Sequence, residues 1–316
     1  MKQIILHLLL IIFTCNFINA QKIKKTETIV KSTDPLDFRQ TAEYQLNVAD
    51  VLDSTKISKK NIELVKQIMP LLEKEENEKA YQLLNSIDEK DKKNELLILQ
   101  AILELNMDQL ASSSSSLSKY LPYASNDSIK SSIYYMLGTI DLKRLFKINA
   151  NQNFEKSYEL DKKNYRAAMI LGYTNQEEKN IEKAIFYYEK TTEINPNLNN
   201  IWNALAWLYQ QAGQHEKAKK IFSKIIKDEP NEPLPYNNRS YSNLQLGFTK
   251  QALEDVNKSI KLRPENSYAF RNRALVYIKM KDSKKACIDI ESAFKLGYRA
   301  KYGSDLDTIQ VENCKN

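Results

Sequence analysis

Histidine and glycine are scarce in this sequence, with two and six among 316 residues. Triad-type catalysis needs a histidine, a nucleophile and an orienting group together. His7 lies in an N-terminal apolar run, and His215 sits at a turn between two helical patterns with no evident partner. A phosphate-cradling loop needs several glycines close together, and here none lie together. Cysteine is also rare, at Cys15, Cys287 and Cys314, which leaves no cluster with metal-ligand spacing. Neighbouring acids such as Asp289 and Glu291 fall on different faces of one helix, so no general acid–base pair is evident. These scarcities argue against an enzyme, and no cofactor or metal site is expected. An ion site built from carboxylates alone stays open.

Long hydrophobic runs are lacking as well. The apolar run Ile4–Phe13 is short for a bilayer span. Lys2 precedes it and Ala20 follows at a small-residue cleavage position, so residues 1–20 read as a secretory signal peptide and the mature chain is expected to start at Gln21. An uncleaved anchor is the alternative. Cys15 stands where a lipoprotein would carry its lipidated cysteine, but Phe13 and Thr14 fit such a site poorly. The expectation is an exported protein, periplasmic or secreted, with an envelope lipid anchor through Cys15 as the lesser reading. It carries no transmembrane segment once mature. The net charge is +7, and loss of Lys2 lowers it by one. The charges are interspersed as on solvated helix faces. A mildly basic exported chain suits an anionic surface or partner before nucleic acid.

What the sequence does have is a repeat. Ala150, Ala184, Ala218, Ala252 and Ala286 recur every 34 residues, as do Pro196, Pro230 and Pro264. A small residue recurs with the same period at Gly138, Gly172, Ala206, Ser240 and Ala274. Three independent columns with one period indicate a stacked array. Within a unit, apolar residues follow helical spacing, as in Ile201, Trp202, Leu205, Leu208 and Tyr209. A break at Gly213 follows, then a second amphipathic run through Ala218, Ile221, Phe222, Ile225 and Ile226, and a proline ends the unit. The always-small columns, at unit positions 8 and 20, let two helices cross closely. Large residues at position 24, from Phe154 to Ile290, fill the interior. Each hairpin has apolar surface left over and must stack to bury it.

This pattern resembles the tetratricopeptide repeat: an aromatic at position 4, Leu and a small residue at 7 and 8, an aromatic at 11, Ala at 20, an aromatic at 24 and Pro at 32. The unit from Asn199 matches best, with Trp202, Leu205, Ala206, Tyr209, Ala218, Phe222 and Pro230. Arg239 and Arg273 depart from it at position 7, and Lys162 and Tyr298 at position 32. The resemblance implies an all-α, right-handed superhelical solenoid of helix–turn–helix hairpins. Five repeats are expected at 131–164, 165–198, 199–232, 233–266 and 267–298. Residues 21–60 read as a flexible polar leader. Residues 61–130 read as diverged hairpins, with the serine run Ser112–Ser116 as a loose turn. Residues 299–316 read as a C-terminal capping helix whose start at Ser304 and Asp307 offers a capping box.

The resemblance also implies a function. In this family the first helix of each hairpin lines the concave surface, mainly through unit positions 2, 5, 9, 12 and 13. Carried over, these give a candidate partner-binding groove of Tyr135, Tyr173, Asn203, Trp207, Asn237, Tyr241 and Arg271. Aromatics anchor partners and amides can hold a peptide backbone; such a stripe can equally be helix packing. Where some members clamp a peptide's C-terminal carboxylate, this chain has Asn203, Trp207, Asn238, Tyr268 and Asn272, of which only Asn238 fits. The expected role is a non-enzymatic scaffold binding a protein or peptide, with a glycan as the alternative ligand and a degenerate enzyme as a third reading. In an oxidising compartment Cys287 and Cys314 can pair; the alternative is two independent thiols.

Overall fold

The same backbone turn recurs along the chain. The computed structural model describes residues 58–87 and 94–314. Among them a left-handed residue ends the first helix of a hairpin at Glu75, Asp108, Leu145, Lys179, Gly213, Gly247 and Lys281. At each one the next residue's N–H donates back five residues, as Phe146 to the Asp141 carbonyl and Gln214 to the Tyr209 carbonyl, at 2.8 and 2.7 Å. The left-handed residue donates three back, as Leu145 to Leu142 at 3.0 Å. This pair of bonds is the Schellman motif, which satisfies helix-end carbonyls and reverses the chain. All of these positions are position 15 of a unit, including Glu75 and Asp108 when units start at residues 61 and 94. The upstream hairpins therefore turn in the register of the later ones.

The helices follow from this punctuation. In order they are α1 Lys59–Glu73, α2 Asn77–Asn85, α3 Leu97–Asn106, α4 Leu110–Tyr120, α5 Asp127–Lys143, α6 Lys147–Leu160, α7 Tyr165–Glu177 and α8 Ile181–Ile194. Then come α9 Asn199–Gln211, α10 His215–Asp228, α11 Pro233–Gln245, α12 Thr249–Leu262, α13 Ser267–Lys279, α14 Ser283–Lys295, α15 Tyr298–Tyr302 and α16 Asp305–Asn313. No strand occurs among the described residues. The fold is an all-α helical repeat solenoid. The signal-peptide and Cys15 readings, and the leader apart from its last three residues, lie outside the described residues.

The chain divides into two compact units, one through Ala167 and one from Ala168. In the first, α1 pairs with α2, α3 with α4 and α5 with α6. Its core joins Ile68, Leu84, Ile98, Leu99, Leu103, Leu117, Ile133 and Met136. The serine run is not a turn but part of α4. Ser113 stands at position 20, the small column, and its hydroxyl donates to the Ala101 carbonyl at 2.7 Å. Ser116 donates to the buried Glu104 carboxylate at 2.8 Å. The helix bonds already closed along α4 leave serine's turn preference unexpressed.

In the second unit the hairpins α9–α10, α11–α12 and α13–α14 stack consecutively, α10 on α11 and α12 on α13. The column residues Ala184, Tyr188, Ala206, Ala218, Phe222, Ser240, Ala252, Val256, Ala274, Ala286 and Ile290 are all fully buried. Small and large residues are matched within a hairpin: a Cβ added at Gly172 would lie 2.5 Å from Tyr188 Cδ1. Gly138 stands in the same relation to Phe154 in the first unit, at 2.7 Å.

The end of the array is closed by α15 and α16, which pack on α14 around Ala274, Ile290, Ala293, Tyr298 and Leu306. A disulfide joins Cys287 on α14 to Cys314 after α16, with Cα atoms 5.7 Å apart. The expected capping box does not form: the Ser304 side chain makes no cap bond. Asp307 instead accepts from Arg299 Nε at 2.7 Å.

Candidate partner-binding face

First helices of successive hairpins are neighbours, α9 against α11 and α11 against α13. Equivalent unit positions on them therefore stand side by side. At position 9, Trp207 is 40% exposed, a large aromatic left facing solvent on an ordered helix. Tyr241 is half-buried on the next helix, edge-on to the His215 ring at 6.0 Å. Tyr173 occupies the same position on α7 and is also half-buried. Arg271 on α13 lies over the rings of Tyr241 and Tyr268, at 5.7 and 5.4 Å. Its guanidinium donates to Asp305 of α16 at 3.2 Å.

Position 5 behaves differently from the sequence expectation. Tyr135 is 3% exposed and packs on Phe154 with ring centroids 5.7 Å apart. Gly138, one turn further on α5, brings that ring against the helix, and Tyr135 covers it. Asn237 is 1% exposed and its Oδ1 accepts from Asn272 Nδ2 at 2.9 Å. These two residues belong to the packing and offer no groove surface. Asn237 turns to the neighbouring first helix α13, where a buried amide must find a partner. Asn203 is half-buried, and its Nδ2 donates to the Asn199 carbonyl in its own helix at 3.1 Å. Gln210 at position 12 is likewise buried, donating to the Asn238 carbonyl at 2.6 Å and to Ser242 Oγ at 2.8 Å. The glycan reading rested on aromatics with flanking amides, and these bonds take Asn237 and Gln210 off the face.

Three features went unread in the sequence. Arg239 and Arg273, departures at position 7, each grip an aspartate at position 23 of their own hairpin, Asp255 and Asp289. Each also reaches position 25 of the preceding hairpin: Arg239 Nη1 to Ser223 Oγ at 3.1 Å and Arg273 Nη1 to Asn257 Oδ1 at 2.9 Å. The signal was present, since aspartate occurs at position 23 in the same two units as the arginine. At position 4, Trp202 Nε1 and Tyr236 Oη donate to the carbonyls of Pro196 and Pro230, at 2.9 and 3.2 Å. These aromatics tie each hairpin to the proline ending the one before. The third feature is a tyrosine cluster under the cap. Tyr268, Tyr298 and Tyr302 have ring centroids 4.9–6.0 Å apart. Burial pushes all three phenols above the usual tyrosine range, opposed at Tyr268 and Tyr298 by the Arg271 charge. Among the described residues no group of His, Cys, Asp and Glu stands together that could hold a metal ion. None of the described helices is long and apolar enough to cross a membrane.

Comparison with known proteins agrees with this geometry. Residues 175–237 match a family model described as tetratricopeptide repeat. The C-terminal part of a repeat-containing protein of this kind from Cytophaga hutchinsonii superposes with a TM-score of 0.55 at 19% identity, covering 76% of this chain and 98% of that one. YrrB, described as a repeat protein of this kind with an unusual peptide-binding site, superposes with a TM-score of 0.52 at 15% identity, covering 62% of this chain and 99% of its own. No curated protein matches the sequence. Residues 175–237 are thus tetratricopeptide-repeat sequence, and the chain shares the fold of such repeat proteins.

Proposed function

We propose that this chain is a non-enzymatic interaction scaffold that holds an extended peptide, or such a segment of a partner protein, across the first helices α7 to α13. The observation that carries the reading is Trp207, exposed on an ordered helix with Tyr241 beside it at the same repeat position. A rigid aromatic facing solvent supplies contact area at little entropic cost and is the commonest kind of anchor at an interface. YrrB, with a like fold, is described as having a peptide-binding site. The N-terminal residues support export, which would place the partner in the cell envelope or outside it. Crosslinking and pulldown from envelope extract, with Trp207→Ala as control, tests the reading. A partner captured equally by the variant would place binding elsewhere on the molecule.

A further inference from the structure

The turn between α5 and α6 differs in chemistry from every other turn of its kind among the described residues. At its left-handed position the sister turns carry Glu75, Asp108, Lys179, Gly213, Gly247 and Lys281. These are glycine, which has no Cβ to clash, or charged residues content in water. This turn carries Leu145, a branched apolar side chain at φ 65°. It is 79% exposed. Three residues on, where other hairpins have Glu78, Ala111, Glu182, Glu216, Lys250 and Lys284, this one has Ile148, 75% exposed. Phe146 between them is 48% exposed. Phe248 stands where Phe146 does in one sister turn and is 42% exposed, but no sister turn carries large apolar side chains at all three positions.

The charges around them have one dominant sign. Lys143, Arg144 and Lys147 interleave with the apolar residues. Arg144 lies over the Phe146 ring at 4.8 Å, and Lys143 pairs with Asp108 of the preceding turn at 3.4 Å. Asp141 accepts from Asn153 Nδ2 at 2.9 Å and stays back on the helix. The result is a convex apolar tip ringed by cations. A protein pocket would meet a tip with a concave complement of its own. A bilayer needs none: apolar residues enter the acyl boundary while cations stay among anionic headgroups.

We propose that the Leu145–Ile148 turn docks the protein peripherally on an anionic lipid bilayer, separately from the face that carries Trp207. The test is flotation of the full chain with vesicles of phosphatidylcholine alone and of phosphatidylcholine mixed with phosphatidylglycerol. It compares wild type with the double variant Leu145→Gly/Ile148→Glu. Both substitutions install what sister turns already carry, so the variant is expected to fold, with circular dichroism as the check. Both chains share the same N-terminal apolar run, so a difference between them belongs to the turn. The proposal expects wild type to float with anionic vesicles in a salt-sensitive way, and the variant to lose tenfold or more of that binding. Equal flotation of the two chains overturns it, as does binding to neutral vesicles as strong as to anionic ones. Absence of wild-type flotation, with a self-association that the variant abolishes, would also overturn it and assign the turn to a protein contact.

Discussion

Arg239 and Asp255 face each other across the hairpin α11–α12 as a two-pronged ion pair, Nε to Oδ2 at 2.8 Å and Nη2 to Oδ1 at 2.6 Å. Asn243 Nδ2 donates to the same carboxylate at 2.9 Å. The unit before it solves the same position with Leu205 and Ile221. An ion pair replaces an apolar contact, and the hairpin keeps its geometry.

That exchange predicts a non-additive pair of mutations. Arg239→Leu alone leaves a nearly buried carboxylate without its cation and should cost about 3 kcal/mol in urea unfolding. Asp255→Ile alone strands the guanidinium and should also destabilise. The double variant restores the apolar solution and should recover most of the loss. Additive losses would show that the pair does not act as a unit.

Gly172 should not tolerate a methyl group. The added Cβ meets the Tyr188 ring at 2.5 Å, so Gly172→Ala should destabilise by roughly 1–3 kcal/mol through overpacking despite alanine's better helix propensity. Lys220→Leu, on an exposed position of α10, should cost far less. A thermal melt that ranks them the other way would mean the hairpin crossing is looser than described.

The cap should fail first at high pH. Tyr268, Tyr298 and Tyr302 have phenols raised by burial, so their contribution is fully present below the unfolded tyrosine value, about 10, and fades as pH rises above it. The disulfide closes a separation of 27 residues and should add about 3 kcal/mol to the hold on α16. Proteolysis of the C-terminus should begin at lower pH in Cys287→Ser/Cys314→Ser than in wild type. Identical profiles would show that the bond does not secure the cap.

Much of this architecture could be read from residue spacing, because the columns record steric demands: a helix crossing admits only small residues, so Ala218 and its equivalents cannot drift. Side-chain polarity was a poorer guide. Ser113 read as a loop residue because serine favours turns, yet at its column small size outranks polarity. Asn237 and Gln210 read as groove amides because their positions adjoin the inner face. They turn toward neighbouring helices, which a single-helix pattern does not encode. Arg239 read as a lapse in the repeat because its partner lies sixteen residues away in the sequence.

Export predicts a mature chain beginning at Gln21. Mass spectrometry of protein purified from its native host should show loss of residues 1–20. A mass retaining Met1, or one carrying a lipid on Cys15, would contradict removal of the leader at Ala20.

The central claim is that position 9 of the first helices binds while position 4 packs. Peptides selected from a random library on the wild-type chain supply the probe, and their affinity is measured for Trp207→Ala/Tyr241→Ala and for Trp202→Ala. The first variant should lose on the order of thirtyfold in affinity, about 2 kcal/mol, with helical content nearly unchanged. Trp202→Ala should lower the melting temperature, because its indole ties α9 to Pro196, and should leave affinity largely intact in the folded state. Full affinity in the Trp207→Ala/Tyr241→Ala variant, or melting as severe as that of Trp202→Ala, would contradict the account.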